Sequence, residues 1–247
     1  MIKKYQTYKY NQQCKKNETE RNQSIQEIHT LNIKYPDLHP YQLLNKYVGK
    51  GVYKDIRAKQ VQSEIMALYD RVASEKPEIV CEIGTFKGGT LYLWTQAAAD
   101  DALIISMDLP PGLKNKFTPD RQSFYHSFSK KKQFVCCLPG NSHDNDTKEK
   151  LKTILGGRRI DFLFIDGDHS YEGVRMDFEM YSTMVKNGGL IAFHDILPRK
   201  GLENIQVYRL WRELIHQYEY CEYIDKERKK IGIGLIVWNN QSKTNIF

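Results

Sequence analysis

The chain has 247 residues, 40% hydrophobic and 27% charged, which suits one α/β domain with its own core and is short for two. No run approaches the roughly eighteen apolar residues of a membrane helix, and the start, MIKKYQTYKYNQQ, lacks the apolar stretch of a secretory signal. The net charge of +7 is scattered in small clusters at 3–4, 15–16, 130–132 and 228–230 without interleaved aromatics, so nucleic acid is not the expected partner.

Five cysteines (Cys14, Cys81, Cys136, Cys137, Cys221) make an odd number with no CxxC. Three of them fall in predicted strands. They read as small core residues in a reducing compartment, and a cytoplasmic location is expected.

Residues 1 to about 23 are polar and rich in Lys, Asn and Gln, which predicts a frayed or disordered tail. Residues 24–56 carry short apolar patches broken by Pro36, Pro40, Gly49 and Gly51. They predict short helices and loops packed on the main domain as a lid or accessory segment. The boundaries that follow are 1–58 for this segment and 59–247 for the main domain. Val61, Ile65, Leu68 and Val72 recur at helical spacing and predict a helix over 59–73. Residues 78–84 form a short, nearly continuous apolar run, as in a strand buried on both faces of a parallel sheet.

Helix and strand then alternate. Helices are predicted over 90–99, 119–129, 144–155, 170–185 and 205–218, and strands over 103–108, 133–138, 161–165 and 190–194. Two strand-like pieces, 220–224 and 232–238, close the chain across a charged turn too short for a parallel crossover, so they predict an antiparallel hairpin. Alternating β and α implies right-handed βαβ units, a mostly parallel sheet, and helices on both faces. The expected fold class is α/β: a Rossmann-like, mostly parallel seven-stranded sheet with an antiparallel C-terminal hairpin. In such sheets ligands bind beyond the carboxyl ends of the strands.

Candidate site residues cluster at those ends. The first strand runs into Glu82-Ile83-Gly84-Thr85-Phe86-Lys87-Gly88-Gly89, where glycines permit a sharp turn and close approach to a ligand. This is not the dinucleotide GxGxxG. The second strand ends in Asp108, an acidic residue placed to accept from ribose hydroxyls. The third runs into Gly140, Asn141 and Ser142. The fourth ends in Asp166-Gly167-Asp168-His169, and the fifth in His194-Asp195. Neighbouring strands bring Asp166 and Asp195 to one edge of the cleft. Paired carboxylates repel unless a cation or proton lies between them, and hard divalent cations take such oxygen ligands.

The glycine loop resembles the E-x-G-x-x-x-G-G loop of class I methyltransferases, which wraps the methionine end of S-adenosylmethionine (SAM). The segments FIDGDHSYEGVRMDFEMY and GGLIAFHDI together resemble the macrocin O-methyltransferase and cephalosporin-hydroxylase-like group, and more distantly the catechol-type metal-dependent O-methyltransferases. The resemblance covers roughly residues 59–238. It implies a SAM site of Glu82, Gly84, Thr85, Gly88, Gly89, Asp108, Asn141, Ser142 and Asp166. Asn141 stands where the family usually has Asp, and its carbonyl can still bond an adenine amino group. The resemblance also implies a divalent metal, usually magnesium, on Asp166, Asp195 and position 194. Here that position is His194, a poor magnesium ligand and a good one for manganese, iron or zinc.

His169 is the expected general base, paired functionally with Asp166, and helix capping or cofactor contact is its alternative role. His143 and His126 are weaker candidates. The implied reaction is metal-assisted O-methylation of a hydroxyl on a small molecule or glycan. An NAD-type or oxygenating oxidoreductase and a non-catalytic SAM-binding protein remain alternatives. The N-terminal segment leaves a homo-oligomer open, and the loops 110–119 and 198–204, expected to set acceptor specificity, carry no readable pattern.

Overall fold

A computed structural model describes residues 2–112, 117–130, 132–227 and 230–240, with side chains from residue 11 onward. The chain opens with a long helix, α1 (Ile2–Lys34), then a short one, α2 (Pro40–Lys46), and a turn of 3-10 helix at Gly51–Tyr53. From there β-strands and helices alternate: α3 (Gln62–Glu75), β1 (Ile79–Ile83), α4 (Gly89–Ala97), β2 (Leu103–Asp108), α5 (Pro119–Tyr125), β3 (Phe134–Pro139), α6 (Asn145–Leu155), β4 (Ile160–Ile165), α7 (Tyr171–Tyr181), β5 (Val185–His194), α8 (Val207–Leu214), β6 (Tyr220–Tyr223) and β7 (Ile233–Val237).

The seven strands form one sheet in the order β3-β2-β1-β4-β5-β7-β6. β1 to β5 run parallel, and β7 lies antiparallel between β5 and β6. This is the Rossmann-like arrangement with an antiparallel C-terminal pair that the alternation predicts. The order reverses at β1 and β4, which places a crevice at their carboxyl ends. Among the described residues no helix is long and apolar enough to cross a membrane.

Alternate side chains of each central strand supply the two faces. Val80, Ile104, Phe162, Phe164 and Ala192 join a core with α3 and α4. Cys81, Ile83, Ile105, Leu163 and Ile191 join a second core with α6, α7 and α8. Cys81, Cys136 and Cys137 sit in strands as free thiols, Cys81 in the core and the other two half-buried against it, and burial raises the pKa of each. Local signals set several helix ends. Thr118 caps α5 before Pro119, and Ser170 caps α7 through its hydroxyl to Gly173 N at 3.0 Å. The predicted helices over 119–129 and 170–185 each end in a 3-10 turn, at His126–Phe128 and Ser182–Met184.

The largest difference from expectation lies at the N-terminus. The predicted disordered tail is helix from Ile2. Its polar surface hid the helix from a search for apolar periodicity, but good helix formers and tertiary anchors hold it. Asn17 donates to Asp120 at 3.2 Å, Arg21 to Ser123 at 3.3 Å, and Ile28 is buried in the core. Glu27 accepts from Val48 N and Gly49 N at 2.7 and 3.0 Å, and Ser24 accepts from Lys50 N at 2.9 Å. These bonds fix the path of the following chain. Arg121 then donates to the carbonyls of Val52 and Lys54 at 2.6 and 3.3 Å. The extended strap 54–61 is thereby laid across the start of α4.

Candidate active site

A cavity of about 1050 Å³ opens at the carboxyl ends of β1 to β5, roofed on one side by residues 57–60 of the strap. Of the residues predicted to bind cofactor, Gly84, Thr85, Gly89, Asp108, Asn141, Ser142 and Asp166 line it.

Glu82 and Gly88 are not among its lining residues. Glu82 is fully buried beneath the glycine loop, where its carboxyl accepts from Ser106 Oγ at 2.7 Å and Trp94 Nε1 at 3.2 Å. Burial pushes its pKa up to about 8, against the opposing bonds from Thr90 and Ser106. Gly88 sits in the left-handed region at φ 78° as the N-cap of α4. Both shape the loop from behind.

Two other glycines are needed at close approaches. At Gly84, φ 97°, a Cβ would lie 2.1 Å from the Asp166 carbonyl oxygen, where β1 and β4 converge. At Gly89 it would lie 2.1 Å from Ala58 N, because the strap backbone rests directly on the start of α4. Asp108 braces the loop as well as facing the cavity: its Oδ2 accepts from Phe86 N and its Oδ1 from Leu109 N, each at 2.7 Å. Thr85 turns its hydroxyl to Ser106 Oγ at 2.5 Å. Asn141 Oδ1 accepts from His143 N at 3.1 Å, and Asn141 Nδ2 donates to Asp144 at 3.3 Å.

The acidic edge is built as expected from the ends of β4 and β5. Asp166 Oδ1 faces His194 Nδ1 at 3.0 Å, and Asp166 Oδ2 accepts from Gln60 Nε2 at 2.7 Å. Asp195 Oδ2 pairs with His169 Nδ1 at 2.9 Å, and Asp195 Oδ1 accepts from Arg199 at 2.5 Å. Asp195 itself holds the left-handed conformation at φ 66°, anchored by its N–H to the Gly232 carbonyl at 3.1 Å. The N-cap of α7 is Ser170, so the capping role considered for His169 falls to its neighbour.

The charges reinforce one another. Burial alone would raise the Asp195 pKa, yet the His169 bond and the charges of His194, His169 and Arg199 hold it below the ordinary carboxylate value. The bond to Asp195 raises the His169 pKa despite burial. Burial works against a charged His194, but Asp166 and Asp195 together raise its pKa. One atom each from Asp166, His169 and Asp195 lies within 4.8 Å of the others, a spacing that a divalent cation can bridge. His194, buried, lines the same cavity and turns its Nδ1 toward both carboxylates.

Gln60 and Arg199 carry no pattern in the sequence. Gln60 reaches Asp166 from more than a hundred residues away, and Arg199 lies in the loop 198–204, where nothing in the sequence distinguishes it from Lys200 beside it. Of the weaker base candidates, His143 lines the cavity and bonds the Gly173 carbonyl at 3.1 Å, and His126 lies outside it.

Residues 81–196 match a family model described as a methyltransferase domain. Over 122 residues it is 36% identical to an uncharacterized protein of Acanthamoeba polyphaga mimivirus, and the match spans 46% of this chain and about half (49%) of that curated relative's length. The methyltransferase fold is shared with solved structures. The O-methyltransferase from Bacillus cereus in complex with SAH is 14% identical, with a TM-score of 0.59 over 90% of this chain and 99% of that one. The MycE methyltransferase of the mycinamycin biosynthetic pathway, in complex with Mg, SAH and mycinamycin VI, is 13% identical, with a TM-score of 0.54 over 85% of this chain and 57% of that one.

The residues around the cavity fit the two groups that the likeness in fold implies. At about 1050 Å³ the cavity stands at the upper end of the roughly 300–1,000 Å³ of ligand sites, a size that suits a nucleoside cofactor with an acceptor beside it. The mixed oxygen and nitrogen donors of Asp166, His194 and Asp195 suit manganese better than magnesium.

Proposed function

We propose that this chain is a SAM-dependent O-methyltransferase that methylates a hydroxyl of a small molecule or sugar. The observation that carries the reading is the His169–Asp195 pair beside Asp166, facing the glycine loop across one cavity. A loop of this kind seats the methionine end of the cofactor, and Asp108 lies where ribose hydroxyls would meet a carboxylate. Gly84, Thr85, Gly89, Asn141 and Ser142 would complete the cofactor wall, and Glu82 and Gly88 would support it from behind.

The sulfonium of SAM is already a strong methyl donor, so the protein's task is alignment and proton removal. Bound there, SAM would supply its methyl to the acceptor oxygen and leave as S-adenosylhomocysteine. His169 takes the hydroxyl proton. Its Nδ1 is engaged by Asp195, so Nε2 is the nitrogen that acts. Asp195 fixes the ring and stabilises the imidazolium that forms. A divalent cation held by Asp166, Asp195 and His194 would lower the pKa of the acceptor hydroxyl and orient a diol-like acceptor, with His169 left to act as the base.

A second reading, transfer without a metal, is favoured by one observation. Each oxygen of Asp166 and Asp195 already faces a protein donor, and Arg199 places a fixed positive charge on Asp195. Release of S-adenosylhomocysteine from SAM, with catechol and simple sugars as acceptors, separates the readings. Turnover abolished by EDTA and restored by manganese supports the metal-assisted form. Turnover indifferent to EDTA supports the second. His169→Ala lowers turnover under either, by the factor of about 10² to 10⁴ typical of a lost general base.

A further inference from the structure

The strap 54–61 stands outside the matched domain, yet it contributes four consecutive lining residues to the cavity: Arg57, Ala58, Lys59 and Gln60. Its position is enforced. Its backbone packs on Gly89, Arg121 holds the carbonyls of Val52 and Lys54, and Asp55, at φ 73°, pairs with both Arg57 and Lys87 of the glycine loop.

Two of its side chains have unused capacity toward the cavity. Gln60 is 6% exposed, and its amide nitrogen is spent on Asp166, while its Oε1 is buried without a hydrogen-bond partner. A buried carbonyl oxygen left unpaired is costly, which marks it as a receptor for a donor the cavity takes in. Lys59 is exposed at the cavity mouth and makes no ion pair among the described residues. Its ammonium instead lies 4.5 Å from the centroid of the Phe86 ring, at the tip of the glycine loop. The strap thus presents one vacant acceptor inside and one unneutralised cation at the rim, beside the loop that would hold an amino-acid tail.

We propose that the strap is the receptor for the zwitterionic amino-acid end of the cofactor: Gln60 Oε1 accepts from its α-ammonium, and Lys59 pairs with its carboxylate. This rests on the SAM reading above. It assigns to the strap ahead of α3 a direct part in cofactor recognition, rather than a covering role alone.

Calorimetric titration tests it with two probes, S-adenosylhomocysteine and 5′-methylthioadenosine, which share the thioadenosine but differ in the amino-acid tail. Gln60→Met keeps the bulk and removes the carbonyl, and Lys59→Gln changes an exposed side chain that the fold does not need. Each is expected to weaken S-adenosylhomocysteine binding by about tenfold or more, the scale of a lost charge-assisted hydrogen bond, and to leave methylthioadenosine binding unchanged. Unchanged affinity for S-adenosylhomocysteine, or equal losses for both probes, overturns the assignment. If the unsubstituted protein binds neither probe, the SAM reading itself fails, which is a distinct result.

Discussion

Glu82→Gln removes a carboxyl buried beneath the glycine loop while keeping its size: the amide oxygen can still accept from Trp94 Nε1, and the amide nitrogen can donate to the Ser106 hydroxyl. Burial raises the pKa of Glu82 from 4.5 to about 8, and the nearby charges of Asp166 and Asp108 add to the effect. The folded chain therefore holds this proton where the unfolded chain has released it. With more protons bound in the folded state, stability falls as pH rises, fully present below about 4.5 and lost progressively up to about 8. The gap between those two values corresponds to about 4 to 5 kcal/mol, a large share of the 5–15 kcal/mol typical of a domain. Glutamine carries no such dependence. Urea unfolding of both proteins at pH 5, 7 and 8.5 isolates the contribution, because other titrating groups cancel in the difference. Wild type should lose ground to Glu82→Gln steadily across that range and be the less stable at pH 8.5. A difference independent of pH would refute the buried, protonated carboxyl.

Three further expectations concern the site. Gly89→Ala drives a methyl into the strap backbone at Ala58, and the strap is expected to lift at a cost of about 1–3 kcal/mol, read as a lower Tm together with weaker S-adenosylhomocysteine binding. The His169 pKa, followed by NMR in metal-free protein, should lie above the ordinary 6.5 and fall in Asp195→Asn, since the Asp195 bond is the first cause of the rise. The imidazolium form that Asp195 favours is accordingly lost as pH climbs through that raised value, so a base-dependent rate should increase with pH over the same interval. Asp166→Asn is expected to weaken manganese binding, by calorimetry, without unfolding the domain. Unchanged manganese affinity would count against Asp166 as a ligand.

The central sheet was legible because each parallel strand is short, apolar and punctuated. Pro77 precedes β1, Gly84 follows it, and the carboxylates at the ends of β2, β4 and β5 mark the cleft. The neighbourhood of β4 and β5 was enough to foresee that Asp166 and Asp195 share one edge of the cleft, while the pairing of His169 with Asp195 came only with the structure. Glu82 was harder to place, since a motif records that a carboxylate precedes the loop and not which way it points. Its side chain turns beneath the loop to Trp94 and Ser106. α1 escaped detection because its stability comes from Glu27, Ser24 and Asn17 bonding to distant backbone and side chains rather than from an apolar stripe. Gln60 was invisible for the same reason: only the folded path of the strap brings it to Asp166.

The most direct test of the account is calorimetric titration of EDTA-stripped protein with S-adenosylhomocysteine and, in parallel, with NAD. Saturable binding of S-adenosylhomocysteine, without competition from NAD, is the predicted result. Binding of NAD with none of S-adenosylhomocysteine would contradict the methyltransferase reading and return the cavity to an oxidoreductase.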